Sequence, residues 1–300
     1  MLRIHVWGMQ FLLIDEDCGR GYTGSRGIIK ERVGFAHPTQ AMKRTPSKPA
    51  RAVVIIPARW GATRFPGKVL AEVVGKPLIQ RIVAVCRASR TVDEVIVATD
   101  DWRVFDAALD ADACAVMTSP RLRSGSDRVA TVARKLDAEI IVNVQGDEYF
   151  DDPRLLSRLV EGLRNDRSAQ VATLARPITA REAADPHLVK VVCNRDGYAL
   201  YFSRSPIPFY RDRGIKTNHL GHIGIYAFRR DALLSFAQAA KTPLETAENL
   251  EQLRVLERGD KIRVFVTNCL TVGVDTPADL NKLRRLLRTG RLRLRGDRDH

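Results

Sequence analysis

From Ala52 onward the chain alternates short apolar runs with segments whose apolar residues recur every three or four positions. "AVVIIP", "EVIVAT", "ACAVM" and "EIIVNVQGD" are continuous enough in apolar residues to be strands covered on both faces. Between them, "PLIQRIVAVCRAS" sets Leu78, Ile79, Ile82, Val83 and Cys86 at helical spacing, and "WRVFDAALD" and "DRVATVARKLD" follow the same period. "SGSD" just before the last of these reads as a capping box, with Ser124 at the N-cap and Asp127 three residues on. This alternation predicts an α/β domain with a mostly parallel sheet flanked by helices, whose ligands lie at the carboxyl ends of the strands.

The rhythm changes after about residue 169. "QVATLARPI", "LVKVVCN", "YALYFSR" and "GHIGIYAF" read as strands with little helix between them, and "NRDG" turns one into the next. Helical spacing returns from Asp231 to Ala240 and from Leu244 to Glu257, the latter closed by Gly259. "KIRVFV" is a last strand, and "GVDTPADLNKLRRLL" a loop feeding a helix with Pro277 in its first turn. The expected division is a nucleotide-binding part over about 51–168, a mixed-sheet lobe over about 169–230 and a return to the main sheet over about 231–288. Residues 1–50 lack a sustained period and end in the loop-like "PTQAMKRTPSKPA", so they read as a disordered extension or as the product of a misassigned start, with Met42 the alternative. Residues 289–300 read as a basic tail.

Composition changes this picture only by exclusion. The formal net charge of +14 suggests nucleic acid until it is located: residues 1–50 carry +4 and residues 281–300 carry +6, leaving +4 for all the rest. The excess lies in the tails rather than on a folded face, so nucleic-acid binding is not expected. No stretch approaches the roughly 20 apolar residues that span a bilayer. The apolar start of the chain is interrupted by His5, Gly8 and Gln10 and followed by acids instead of a cleavage site, which argues against export. Five cysteines without metal-ligand spacing read as scattered thiols of a reducing compartment, and the expected location is the cytoplasm.

Two places carry candidate chemistry. The loop after the first strand, "ARWGATRFPGK", holds Arg59 and Arg64 as fork-shaped donors and Lys68 as a point charge, with Gly61 and Gly67 permitting close backbone approach. It is neither a Walker A nor a GxGxxG sequence, yet it suits a polyphosphate; composition alone equally describes a solvated surface loop. In "NVQGDE", Asp147 falls just past a buried strand, where a carboxylate serves either a hard cation or the backbone of its own turn. Asp275 in "GVDTP" holds the same kind of position near the other end of the chain. A divalent ion between two such carboxylates offsets charge in a phosphoryl-type displacement, and with the basic loop they point to nucleotidyl transfer.

The ordered set "IIPAR…TRFPGK", "IVATDD", "SGSDR", "VNVQGDE", "VKVV", "GYALYFSRSPIP", "HIGIYAFR", "PLE…LEQLRVLE" and "GVDTPADL" resembles the 3-deoxy-manno-octulosonate cytidylyltransferase (CMP-Kdo synthetase) family from about Val53 to Leu287. "YFSR", "GIY" and "LEQLR" separate that family from sugar nucleotidyltransferases in general. The resemblance implies a nucleotide-diphospho-sugar transferase-like fold and Mg²⁺-dependent transfer of a cytidylyl group from CTP to 3-deoxy-D-manno-octulosonate (Kdo), with pyrophosphate released, in lipopolysaccharide synthesis. It also implies a cytoplasmic homodimer.

Carried over by position, the resemblance assigns Arg59, Arg64 and Lys68 to the triphosphate and Asp147 and Asp275 to the metal. Ala58, Ser124, Gly125, Arg128 and Gln145 join them around the nucleotide. For the sugar it implies Arg204 paired with the carboxylate, and His222, Tyr226, Glu245 and Gln252 on the hydroxyls. Three of these have a plainer reading: His222 as a strand histidine, Tyr226 as sheet packing, and Gln252, like Glu251, as an exposed position on an amphipathic helix. Tyr149 stands where the family usually has proline, and "SGS" replaces "SGT". "PLE" is followed by Thr-Ala-Glu-Asn where larger residues are common, which bears on sugar choice. The alternatives are a cytidylyltransferase for another acid sugar, such as 8-amino-Kdo or a nonulosonate, and a non-catalytic anion- or nucleic-acid-binding protein.

Overall fold

The computed structural model describes residues 12–13, 51–61, 64–212 and 218–294. Its main sheet begins with the apolar runs that open the sequence pattern: β1 (Ala52–Ala58), β2 (Glu94–Thr99), β3 (Cys114–Met117) and β4 (Ile140–Asn143). They pair in the order β3-β2-β1-β4, all parallel, with β1 and β4 buried along their whole length. At the outer edge of β3, the backbone of Leu12–Leu13 adds two parallel residues. The rest of the expected N-terminal extension and the last six residues of the basic tail lie outside the described residues.

Two-sided burial of β1 follows from helices on both faces. Ala52, Val54, Ile56 and Ala58 face α1 (Leu78–Arg87), α2 (Trp102–Leu109) and α4 (Arg154–Asn165). Val53 and Ile55 face α3 (Gly125–Ala133) and α5 (Arg230–Gln238). The five α1 residues spaced for one face, Leu78, Ile79, Ile82, Val83 and Cys86, are all fully buried. Each aliphatic side chain so removed from water contributes about 1.5–3 kcal/mol.

The second half supplies the mixed pairing. β6 (Val171–Ile178), β7 (Lys190–Cys193), β8 (Ala199–Ser203) and the long β9 (His219–Arg229) pair antiparallel with one another. The end of β9 pairs with β4 from Tyr226 to Arg229, which joins this part to the parallel strands. β10 (Ile262–Val266) runs parallel to β6. Two three-residue strands, β5 (Glu148–Phe150) and β11 (Thr271–Gly273), form a separate antiparallel pair. The last helix among the described residues is α8 (Pro277–Arg288), whose Leu280, Leu283 and Leu286 are buried. No described helix is long and apolar enough to cross a membrane.

One predicted element differs. The helix expected from Leu244 to Glu257 is two, α6 (Pro243–Glu248) and α7 (Gln252–Glu257). Asn249 between them is left-handed at φ 51°, a conformation asparagine tolerates better than most side chains, and its N–H bonds Glu245 O to end α6. The apolar period runs through the break, so the period alone does not reveal it. A buried ion pair holds the two short helices together: Arg254 Nε donates to Glu245 Oε2 at 2.7 Å, and a second bond joins Nη2 to Oε1. The Arg254 guanidinium also donates to the Phe236 and Ala239 carbonyls and lies 4.4 Å above the Phe236 ring. Removing one partner leaves the other charge buried and unpaired. Glu245→Ala is therefore expected to lower stability by roughly 3–5 kcal/mol in urea denaturation; a loss within experimental error would show that Arg254 finds water in the folded protein.

Candidate active site

The carboxyl ends of β1 and β4 open together onto a cavity of about 230 Å³, lined among others by Arg59, Lys68, Ser124, Arg128, Gln145 and Asp147. Backbone geometry brings the two strand ends this close. Gly146 N donates to Pro57 O at 3.3 Å, and a Cβ on Gly146 would lie 3.0 Å from both that oxygen and the Ala58 Cβ. On the far wall, Ser124 caps α3 by accepting from Asp127 N at 3.1 Å. Gly125 follows it with Gln145 Oε1 only 3.0 Å from where a Cβ would stand.

The basic loop is closed at its neck. Gly67 N donates to Trp60 O at 3.1 Å, and Trp60 N donates to Asp100 Oδ1 at 3.1 Å. The Arg103 guanidinium covers the Trp60 ring at 3.4 Å from its centroid. Gly67 has φ 69°, after which Lys68 opens a turn of 3₁₀-helix that ends at Leu70. Lys68 is thereby buried, with its ammonium delivered between two carboxylates. Nζ donates to Asp275 Oδ1 at 2.7 Å and pairs with Asp147 Oδ2. Arg64 Nη2 donates to the other Asp275 oxygen at 3.0 Å.

Asp275 reaches Asp147 because β11 pairs with β5 in a register that sets Gly273 opposite Glu148. Val274 N donates to Asp147 O at 2.8 Å. Beyond Asp275, Thr276 and Asp279 form the capping box of α8, and Asp279 Oδ2 also accepts from Asp275 N at 3.2 Å. Tyr149 is fully buried, and its hydroxyl donates to Arg293 O at 2.7 Å. The final described turn is thus fastened to the strand that follows Asp147, with Leu292 buried beside it.

The charges in this cluster reinforce one another. Burial opposes the Lys68 ammonium, but attraction to Asp147 and hydrogen bonds to both aspartates outweigh it and hold its pKa above the ordinary lysine value. Burial likewise opposes the Asp275 carboxylate, and Lys68 and Arg64 overcome it, so its pKa is lowered. Glu148, next in line, is pushed up to about 7 by burial and by the charges of Asp147 and Asp275, against a hydrogen bond from Thr271. Arg128 is buried, its pKa lowered by desolvation despite an ion pair of 2.9 Å with Asp100.

All the residues expected around the nucleotide meet at this cavity: Ala58, Arg59, Lys68, Ser124, Gly125, Arg128, Gln145, Asp147 and Asp275 line it, and Arg64 reaches its edge through Asp275. The residues expected on the sugar do not converge in the same way. Tyr226 and Gln252 line a second cavity of about 210 Å³ that shares Gln145 with the first. His222 stands behind Tyr226, ring centroids 5.2 Å apart, with Nε2 3.0 Å from Thr173 Oγ1. Burial pushes His222 down to about 3, so it is neutral throughout the physiological range. Glu245 is committed to Arg254 and lines neither cavity. Arg204 donates to the carbonyls of Glu248, Pro186 and Asn249, which leaves its fork turned to backbone oxygens. Ser126 and Glu251, joined by a 2.7 Å hydrogen bond, line the second cavity and were not expected there. Their only sequence signal is proximity to "SGSD" and "LEQLR".

Lys68 also tests whether the carboxylate pair suits a metal. Among the described residues no three or more His, Cys, Asp or Glu side chains gather into a metal-binding group. Mg²⁺, however, takes one or two protein carboxylates and completes its shell with water and substrate oxygens. Asp147 and Asp275 already close around one positive charge, so the donor set fits such an ion.

The cytidylyltransferase family model matches residues 53–262. A 3-deoxy-manno-octulosonate cytidylyltransferase from Myxococcus xanthus is 50% identical over 239 residues, covering 79% of this chain and 97% of the relative. One from Escherichia coli is 47% identical over 238 residues, 79% of this chain and 96% of the relative. Among solved structures, a CMP:2-keto-3-deoxy-manno-octonic acid synthetase complexed with CTP superimposes with a TM-score of 0.77 at 46% identity, covering 80% of this chain and 100% of that one.

The neck of the basic loop is the most exacting local requirement of the site. Gly67→Ala adds a Cβ about 2.5 Å from the Trp60 ring at a backbone conformation that side chains rarely adopt. CTP affinity by calorimetry is expected to fall at least tenfold while circular dichroism stays native; unchanged affinity would show that the loop tolerates another path to Lys68.

Proposed function

This chain belongs to the 3-deoxy-manno-octulosonate cytidylyltransferase family, and from that membership we propose how its residues divide the work. The enzyme is a nucleotidyltransferase that moves a cytidylyl group from CTP to Kdo and releases pyrophosphate. The anomeric hydroxyl of Kdo attacks the α-phosphorus, an oxygen–phosphorus bond forms, and the α–β phosphoanhydride bond breaks. The hydroxyl proton passes to solvent water, and the electron pair of the broken bond stays on pyrophosphate.

Arg59, Arg64 and Lys68 hold the triphosphate and offset the charge that collects on the departing pyrophosphate. Ser124, Gly125, Arg128 and Gln145, with Ala58 at the strand end, frame the nucleoside. Asp147 and Asp275 would hold Mg²⁺, which when bound neutralises phosphate charge. The sugar is assigned to the second cavity, where Tyr226 and Gln252 stand with Ser126 and Glu251. Gln145 lies on both cavities, so the two substrates meet across it and are oriented rather than activated covalently. Neutral His222 holds Tyr226 from behind, and Glu245 and Arg204 act by positioning the α6–α7 segment instead of touching substrate.

The working form is proposed to be a homodimer in the cytoplasm, serving lipopolysaccharide synthesis. Leu200 on β8 and Phe209 are 61% and 87% exposed, an apolar excess that suits a partner subunit. The observation that carries the functional reading is the convergence of the basic loop, α3 and both aspartates on one cavity. Pyrophosphate release is expected to require CTP, Kdo and Mg²⁺ together, and Asp147→Asn is expected to reduce it by at least a hundredfold without unfolding the protein. Release supported by another acid sugar but not by Kdo would move the assignment within the family. Full activity of Asp147→Asn would remove that residue from the metal site.

A further inference from the structure

Lys68 occupies the space between the two carboxylates assigned to the metal. Its Nζ donates to Asp275 Oδ1 and pairs with Asp147, while Arg64 takes the second Asp275 oxygen. The lysine is not a chance visitor from solvent. It is 9% exposed, and its backbone is set by bonds from Lys68 N to Phe65 O and from Ala71 N to Lys68 O. Only the end of the side chain is free to exchange partners. A divalent ion arriving alone therefore has to displace an ammonium from both carboxylates and a guanidinium from one. A triphosphate entering the same cavity gives Lys68 and Arg64 other anionic partners and frees the carboxylates for the ion.

We propose that Lys68 is a built-in counter-ion that reserves the Asp147–Asp275 pair for a divalent metal accompanied by a nucleoside triphosphate, making metal and nucleotide binding strongly cooperative. The inference rests on the metal assignment given under the proposed function and goes beyond it by giving Lys68 two alternating partners. Without nucleotide, it holds the two carboxylates together and keeps metal out. With nucleotide, it turns to the phosphates. Because coupling between ligands is reciprocal, metal must raise nucleotide affinity by the same factor as nucleotide raises metal affinity.

The test is Mn²⁺ binding to the full chain, read by electron paramagnetic resonance and by thermal shift, without Kdo so that no turnover occurs. Wild type, Lys68→Met and Lys68→Gln are each titrated without nucleotide, and wild type and Asp147→Asn also with CTP. In the absence of CTP, both lysine variants are expected to bind Mn²⁺ at least tenfold more tightly than wild type and to gain more in Tm. In wild type, CTP is expected to raise Mn²⁺ affinity at least tenfold over that for CTP alone in solution, and Asp147→Asn to abolish that gain. Equal Mn²⁺ affinity in wild type and both lysine variants, with the CTP-dependent gain still sensitive to Asp147→Asn, would overturn the counter-ion role and leave the metal site standing. Loss of any effect of Asp147→Asn would overturn the metal assignment and the inference with it.

Discussion

The structure depends on one ionic contact that joins residues far apart in the chain: the Lys68 ammonium held between Asp147 and Asp275, the last of them 207 positions away. Each member arrives on a different element. The lysine comes from the loop after β1, Asp147 from the turn after β4, and Asp275 from the short connection between β11 and α8. A buried cation next to one carboxylate is a marginal arrangement, since desolvation offsets much of the attraction. With two carboxylates the balance favours the ammonium, whose pKa is held above the ordinary lysine value. The cluster thus fixes the mouth of the nucleotide cavity and is also the point at which ligands must intervene.

Around this contact the rest of the fold acts as scaffold. Parallel strands buried on both faces confine polar groups to their ends, which is why Arg59 and Gln145 appear where apolar runs stop. The β5–β11 pair is needed because no strand of the main sheet ends at Asp275. Its few hydrogen bonds are reinforced at both flanks, by the Thr276–Asp279 capping box and by the Tyr149 hydroxyl on the Arg293 carbonyl. Tyr149 thereby ties a further segment to the strand that follows Asp147.

Much of this was legible in the sequence, for identifiable reasons. The helices and the parallel strands follow from apolar spacing, and the residues that the family resemblance assigns to the nucleotide lie together at one cavity. The β5–β11 pair was not visible, because three residues carry no period. The break at Asn249 was hidden by an apolar pattern that continues through it. On the sugar side, sequence position and side-chain commitment part company. Glu245 and Arg204 stand in family motifs, yet one is locked to Arg254 and the other to three backbone carbonyls. Such partnerships depend on neighbours distant in sequence, and the same is true of the Ser126–Glu251 contact that helps to form the second cavity.

The central claim is that Lys68 and Asp147 are energetically coupled in the folded protein rather than merely adjacent. A double-mutant cycle with Lys68→Met and Asp147→Asn, followed by urea denaturation without ligands, measures this directly. The account predicts a favourable coupling of roughly 0.5–3 kcal/mol, the range typical of residues in direct contact. Strictly additive effects would mean that the ammonium gains nothing from the carboxylate, and would contradict the claim that this contact organises the site.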